Sequence, residues 1–314
     1  MASSRHETGI SRPLACRESG AHSGAQGEAM SRFDSILLPL DGSTQAAKGV
    51  GCAMWLAETL GATLHVLHAT AQALPAREAL ERLRVERGEQ PAVIVHQLAG
   101  NAAAAVVEAI TAYDVDLVVM SAGGESASAG LALHDRLGTV ARAVIEQCPV
   151  PVLLLPLHYR EALPWTSMLA AASGEVAADQ ALEAAAQLAA ALGLRVTVVH
   201  SEDGTLAAYA DTMHHEYPRR IEEMVERGLA GCATEECRCV EQALLRRGDP
   251  ATVLLEQVAQ RASSVLALGW HGAFEAGRAL VLKRLLEQAA CALLLVRGAD
   301  GSGARLMVGG EINE

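Results

Sequence analysis

The sequence predicts an α/β protein built from two copies of a doubly wound, Rossmann-like domain, each with a five-stranded parallel sheet. Three observations carry that prediction. Short uninterrupted apolar runs (ILLPL, LHVLHA, LVVM, VPVLLLP) alternate with stretches of helical period, and continuous apolar strands belong to parallel sheets covered by helices on both faces. Turn signals rich in Gly, Ser, Asp and Pro separate the runs. The pattern then recurs: His68 and His200 are 132 residues apart, Gly100 and Gly248, like Gly124 and Gly272, 148 apart, and Gln147 and Gln288 141 apart. The differences between these offsets fall in loops, where insertions are tolerated.

The elements follow in order. Residues 1–31 are rich in Ser, Gly, Ala and charge without apolar period, the composition of a disordered segment; Met30 is a second possible start. Residues 35–40 read as the first strand, and Asp41-Gly42-Ser43 as the turn after it, with Ser43 or Thr44 capping a helix to about Leu60. Residues 63–69 and 92–98 are strands, separated by a charged helix over 76–87. Gly100-Asn101 opens a helix through Tyr113. Strand 117–120, a glycine turn at 121–124, a helix opened by Gly138-Thr139 and strand 150–155 complete the first domain, residues 32–157. After a linker, 158–164, the second domain (165–297) repeats the series. Its strands are 167–172, 195–200, 239–245, 264–268 and 292–296, and its helices lie at 177–192, 218–231, 250–261 and about 280–290. Residues 298–314 form a loose Gly-rich tail. The two fifth strands, 150–155 and 292–296, are apolar sheet edges, which invite pairing. An intramolecular pseudo-dimer through them is expected.

Composition narrows the function. The chain has 314 residues, 51% of them hydrophobic, and a formal net charge of −12. An acidic balance argues against nucleic acid or an anionic membrane as partner. No run approaches the roughly 20 apolar residues that span a bilayer. Seven scattered cysteines and no apolar leader point to a reduced, cytoplasmic setting. Cys232, Cys237 and Cys239, with His214 and His215 upstream, have the spacing C-x4-C-x-C, which is not that of a zinc knuckle, so no metal is expected. His65 and His68 read as sheet packing, and His134-Asp135-Arg136 as a solvated loop tip. No Ser-His-Asp set can be assembled, and no catalytic carboxylate stands out.

In an open parallel sheet ligands bind beyond the carboxyl ends of the strands, where strand order reverses. With order 3-2-1-4-5 that point lies between strands 1 and 4, so Asp41 faces Ser121–Gly124. Asp41 would accept hydrogen bonds from a ribose or an adenine amine, the glycines would let backbone approach a polyphosphate, and Gly138 and Thr139 at a helix N-terminus would hold its distal end. Asp-Gly-Ser is equally an ordinary turn.

These residues resemble the universal stress protein family, here in tandem. The resemblance covers most of 35–297. It rests on ILLPLDGS, LHVLHA, the Gly-Asp-Pro start of a helix at 248–250 and the Gly-rich turn before the last helix of each copy. It implies an ATP site lined by Pro39, Asp41, Ala69, Met120, Gly124, Gly138, Thr139 and Val140, with AMP or ADP as other candidates. The family motif G-x2-G-x9-G-[ST] is altered in the first copy: Ser121 replaces the first glycine and thirteen residues separate Gly124 from Gly138. The second copy keeps Gly269 and Gly272, but Ser173 stands where the first has Asp41, and Leu282-Lys283 where Gly-Ser should fall, so it is expected to be mainly structural. Three functions remain open: a nucleotide-binding sensor or regulator in the stress response, with a regulatory protein partner and a homodimer both open; a nucleotide-independent scaffold; or a slow ATPase.

Overall fold

The computed structural model describes residues 9–10, 33–86, 91–124, 137–160, 163–202, 217–272, 274 and 279–298. A two-residue strand, β1 (Gly9–Ile10), comes first. The first half follows as β2 (Ser35–Pro39), α1 (Lys48–Leu60), β3 (Thr63–Ala69), α2 (Ala76–Arg82), β4 (Val93–Leu98), α3 (Ala102–Ala112), β5 (Leu117–Ser121), α4 (Thr139–Gln147) and β6 (Val152–Leu155). The second half is β7 (Ser167–Ala172), α5 (Val176–Leu192), β8 (Arg195–Glu202), α6 (Tyr217–Gly228), α7 (Thr234–Arg238), β9 (Val240–Arg247), α8 (Pro250–Arg261), β10 (Val265–Trp270), α9 (Leu280–Gln288) and β11 (Ala292–Arg297).

All these strands join one sheet, ordered β1-β9-β8-β7-β10-β11-β6-β5-β2-β3-β4. Each half has the order 3-2-1-4-5 and is internally parallel. The halves meet where the sequence places the junction: β6 and β11 pair antiparallel, with Leu154 opposite Leu293, Leu153 opposite Leu294 and Val152 opposite Leu295. Neither apolar fifth strand is left as an edge. Of the segment expected to lack structure, Gly9–Ile10 is described, and it pairs antiparallel with Ala243 and Leu244 of β9.

The strands are buried on both faces, which is why they read as unbroken apolar runs. Successive β2 side chains go to opposite layers: Ile36 and Leu38 join a core under α1, α2, α5, α6 and α7, while Leu37 joins a core under α3, α4, α8 and α9. Both cores continue across the β6–β11 junction. On the first face, Trp55 of α1 meets Trp165 edge-on, with ring centroids 5.0 Å apart.

The duplication extends to details. α1 and α5 each end in a left-handed glycine, Gly61 (φ 69°) and Gly193 (φ 66°), whose N–H groups close on the last carbonyls of the helix. One expectation is corrected at the start of α1. Ser43 Oγ accepts from Ala46 N at 3.1 Å, but this caps a preliminary turn, and the helix proper begins at Lys48. The short α7 was not anticipated. Its first turn is tied by Ala233 N donating to Glu236 Oε2 at 2.7 Å.

Candidate functional site

The crevice of the first half opens at the carboxyl ends of β2 and β5, where the strand order reverses. Asp41 leaves β2 and folds its carboxylate back onto its own turn, Oδ1 accepting from Ser43 N at 2.8 Å. The other oxygen lies across the crevice: a Cβ added to Gly124 would stand 2.8 Å from Asp41 Oδ2. A side chain at 124 would have to displace the Asp41 carboxylate. Gly138 N donates to Ala122 O at 2.8 Å, which ties together the two ends of the loop after β5 and sets the start of α4. Gly138 itself has φ −56°, open to any residue, and a Cβ there would make only ordinary contact, 3.6 Å from Ala122 O and from Gly124 N.

These groups surround a cavity of about 110 Å³, and seven of the eight sequence-predicted residues line it: Pro39, Asp41, Ala69, Met120, Gly124, Gly138 and Val140. Thr139 is exposed at the first position of α4 and is not among the lining residues. Sequence reasoning missed part of the wall, notably Leu40, Leu67, Ala102, Val106 and Ala141. Their signal is periodicity alone, since they continue the inward faces of elements already identified.

The second half has the same scaffold with different furniture. His200 Nδ1 donates to Ala172 O at 2.7 Å, as His68 Nδ1 does to Leu40 O at 2.8 Å. Both histidines tie the ends of the first two strands of their half, in line with a packing role. Ser173 Oγ accepts from Glu175 N at 3.4 Å, a looser version of the turn that Asp41 makes. The carboxylate has moved two positions on, to Glu175, whose Oε2 accepts from His271 Nε2 at 2.6 Å.

The alignment of the last helices is corrected. α4 and α9 have the same length, so Gly138-Thr139 corresponds to Ala279-Leu280, not to Leu282-Lys283. Ala279 has φ 53°, a left-handed conformation unusual for alanine. Lys283 Nζ donates to Phe274 O at 3.2 Å. The cavity in this half measures about 580 Å³, larger than that of the half that keeps the acid.

Elsewhere, the described residues contain no cluster of three or more His, Cys, Asp or Glu able to hold a metal. His214, His215 and 134–136 lie outside the described residues. No described helix is long and apolar enough to cross a membrane. His65 Nδ1 and His96 Nε2 share a hydrogen bond at 2.9 Å beneath the ring of Tyr113, which lies 3.9 Å from that of His96.

Comparison with known proteins bears on this geometry. The model of the universal stress protein family matches residues 69–156 and 164–297. The chain belongs to the universal stress protein family. A curated member of that family from Thermus aquaticus is 33% identical over 141 residues, covering 39% of this chain and 98% of the relative. Among solved structures, a Pseudomonas aeruginosa UCBPP-PA14 protein assigned to the same family aligns with a TM-score of 0.61 at 16% identity, covering 86% of this chain and 95% of the other. A universal stress protein from Archaeoglobus fulgidus DSM 4304 aligns with a TM-score of 0.56 at 17% identity, covering 85% and 99%. These neighbours share the fold over most of the chain.

Proposed function

We propose that this universal stress protein binds one adenine nucleotide, ATP in the first instance with AMP or ADP as further candidates, in the first half, and acts in the cytoplasm as a sensor or regulator through a protein partner. The observation that carries this reading is the pairing of Asp41 with Gly124 across the switch point, beside the Gly138 start of α4. Asp41 would accept from the ribose or the adenine amine. The cavity, about 110 Å³, lies below the roughly 300–1,000 Å³ of pockets that enclose a whole ligand. It would take part of the nucleotide, with the phosphates lying outside over Gly124 and Gly138 and within reach of the Thr139 hydroxyl. No lysine or arginine lines it among the described residues, so backbone N–H groups at the helix start would supply the positive field.

The second half itself suggests the test. Asp41→Ser installs the residue that the other copy uses in the same turn, keeping the local hydrogen bond while removing the charge. Loss of a charge-assisted hydrogen bond costs about 1.5–3 kcal/mol, roughly ten- to hundredfold in affinity. Calorimetry with ATP should show one site per chain in the wild type and that loss in Asp41→Ser, at an unchanged melting temperature. Two equivalent sites, or unaltered binding in the variant, would defeat the reading. Absence of binding by folded protein would favour the scaffold function, and phosphate release above background the slow ATPase.

A further inference from the structure

The cavity of the second half is a site with its own chemistry, whatever the first half binds. Its walls are mainly apolar, formed by Leu254, Leu268, Val281 and Leu282, with Trp270 among the lining residues. At about 580 Å³ it falls within the range of pockets that enclose a small molecule.

The features that would admit a phosphate are altered, although Gly269 and Gly272 remain. Where the first half has Ala122-Gly123, this half has Trp270-His271, so side chains stand where backbone approaches. The helix after the crevice starts at Ala279, without a glycine.

What remains is an acceptor. Glu175 at the mouth gives one oxygen to His271, and a carboxylate has about four lone-pair sites, so it can take further donors. His200 is among the lining residues, with its Nδ1–H committed to Ala172 O. An apolar cavity with Trp270 in its lining and a carboxylate at its mouth suits a flat molecule that carries its own N–H donors. A cationic amine is further favoured by the charge of the Glu175 carboxylate.

We propose that this cavity binds a small aromatic or heteroaromatic amine without phosphate. The test uses the full chain labelled with 5-fluorotryptophan, the Trp270 signal being assigned with Trp270→Phe. Trp270 reports on the cavity, whereas Trp55 and Trp165 lie together in the core of the opposite face. Tryptamine is the probe, and indole-3-acetate presents a similar ring with the opposite charge. Tryptamine should shift the Trp270 fluorine signal saturably while the other two stay in place, and indole-3-acetate should need at least about tenfold more. Glu175→Gln should weaken tryptamine about tenfold and bring the two probes together. Val281→Trp, which puts a much bulkier side chain into the cavity wall, should weaken the shift while the melting temperature holds. A Trp270 signal that tryptamine leaves unmoved, that both probes move equally, that ATP moves at lower concentration than tryptamine, or that responds to tryptamine unchanged in Glu175→Gln would overturn the proposal.

Discussion

At the scale of single residues, the His65–His96 pair has the clearest thermodynamic consequence. Burial disfavours the charged imidazolium and pushes the pKa of His65 below its ordinary value. Burial first, and then the neighbouring His65, do the same to His96. Their shared hydrogen bond also needs one ring nitrogen without a proton. In the unfolded chain both would titrate near 6.5, so below that pH the unfolded state binds more protons than the folded state. Stability is therefore complete above about pH 6.5 and falls as the pH drops through it toward the folded-state values. The urea midpoint of the wild type should fall between pH 7.5 and 5.5, and His65→Gln should shrink that fall. An equal fall in the variant would remove the pair as its source. The buried thiols behave differently: desolvation pushes Cys148 up to about 11 and Cys291 up to about 12, which keeps them protonated and unreactive at neutral pH.

At the scale of elements, the β6–β11 junction can be dissected. Leu153 and Leu294 are register partners, both fully buried. Replacing either by alanine should cost about 2–5 kcal/mol. Because the two side chains share one site across the junction, the double variant should depart from additivity by roughly 0.5–3 kcal/mol. Urea unfolding of the four proteins of the cycle measures this, and strict additivity would mean that the strands do not support one another. The pairing was legible in the sequence because both strands are short apolar runs ending their sheet order. Other features were not. The start of α1 moved because Ser43 caps a turn before the helix, a distinction of backbone geometry that residue type does not carry. The counterpart of Gly138-Thr139 was misplaced because the family motif's spacing was carried on from Gly272, whereas the equal lengths of α4 and α9, like the 141-residue offset of Gln147 and Gln288, place it at Ala279-Leu280. For the site, seven named residues line one cavity because strand ends and turns locate them. The larger cavity of the second half was not legible, since volume depends on how Trp270, Val281 and Leu282 pack, and no motif records that.

At the scale of the whole molecule, the duplication has produced one continuous sheet. Each half has the strand order of an independent domain, yet its fifth strand is completed by the other half, and both cores run across the junction. Trp165, at the entrance to the second half, is seated against Trp55 of the first. Unfolding one half alone would uncover an all-apolar strand edge and the cut ends of two cores, so the half-folded state should lie well above both end states. The two halves are therefore expected to unfold together in a single cooperative transition, despite a length beyond that of most two-state domains. Urea unfolding should give coincident curves from far-ultraviolet circular dichroism, from the Trp55–Trp165 emission of a Trp270→Phe protein, and from the fluorine signal of Trp270. The steepness of the transition should match the surface exposed by the entire chain. If the Trp270 signal were lost at a urea concentration where the Trp55–Trp165 pair stays folded, or the reverse, the halves would be separate domains that merely touch, and ligand binding in one could not be felt in the stability of the other. If the curves coincide, any ligand of either cavity must raise the stability of the whole chain, by RT ln(1 + [L]/Kd) for a single site. Occupancy of the first half and of the second could then both be read from one melting curve.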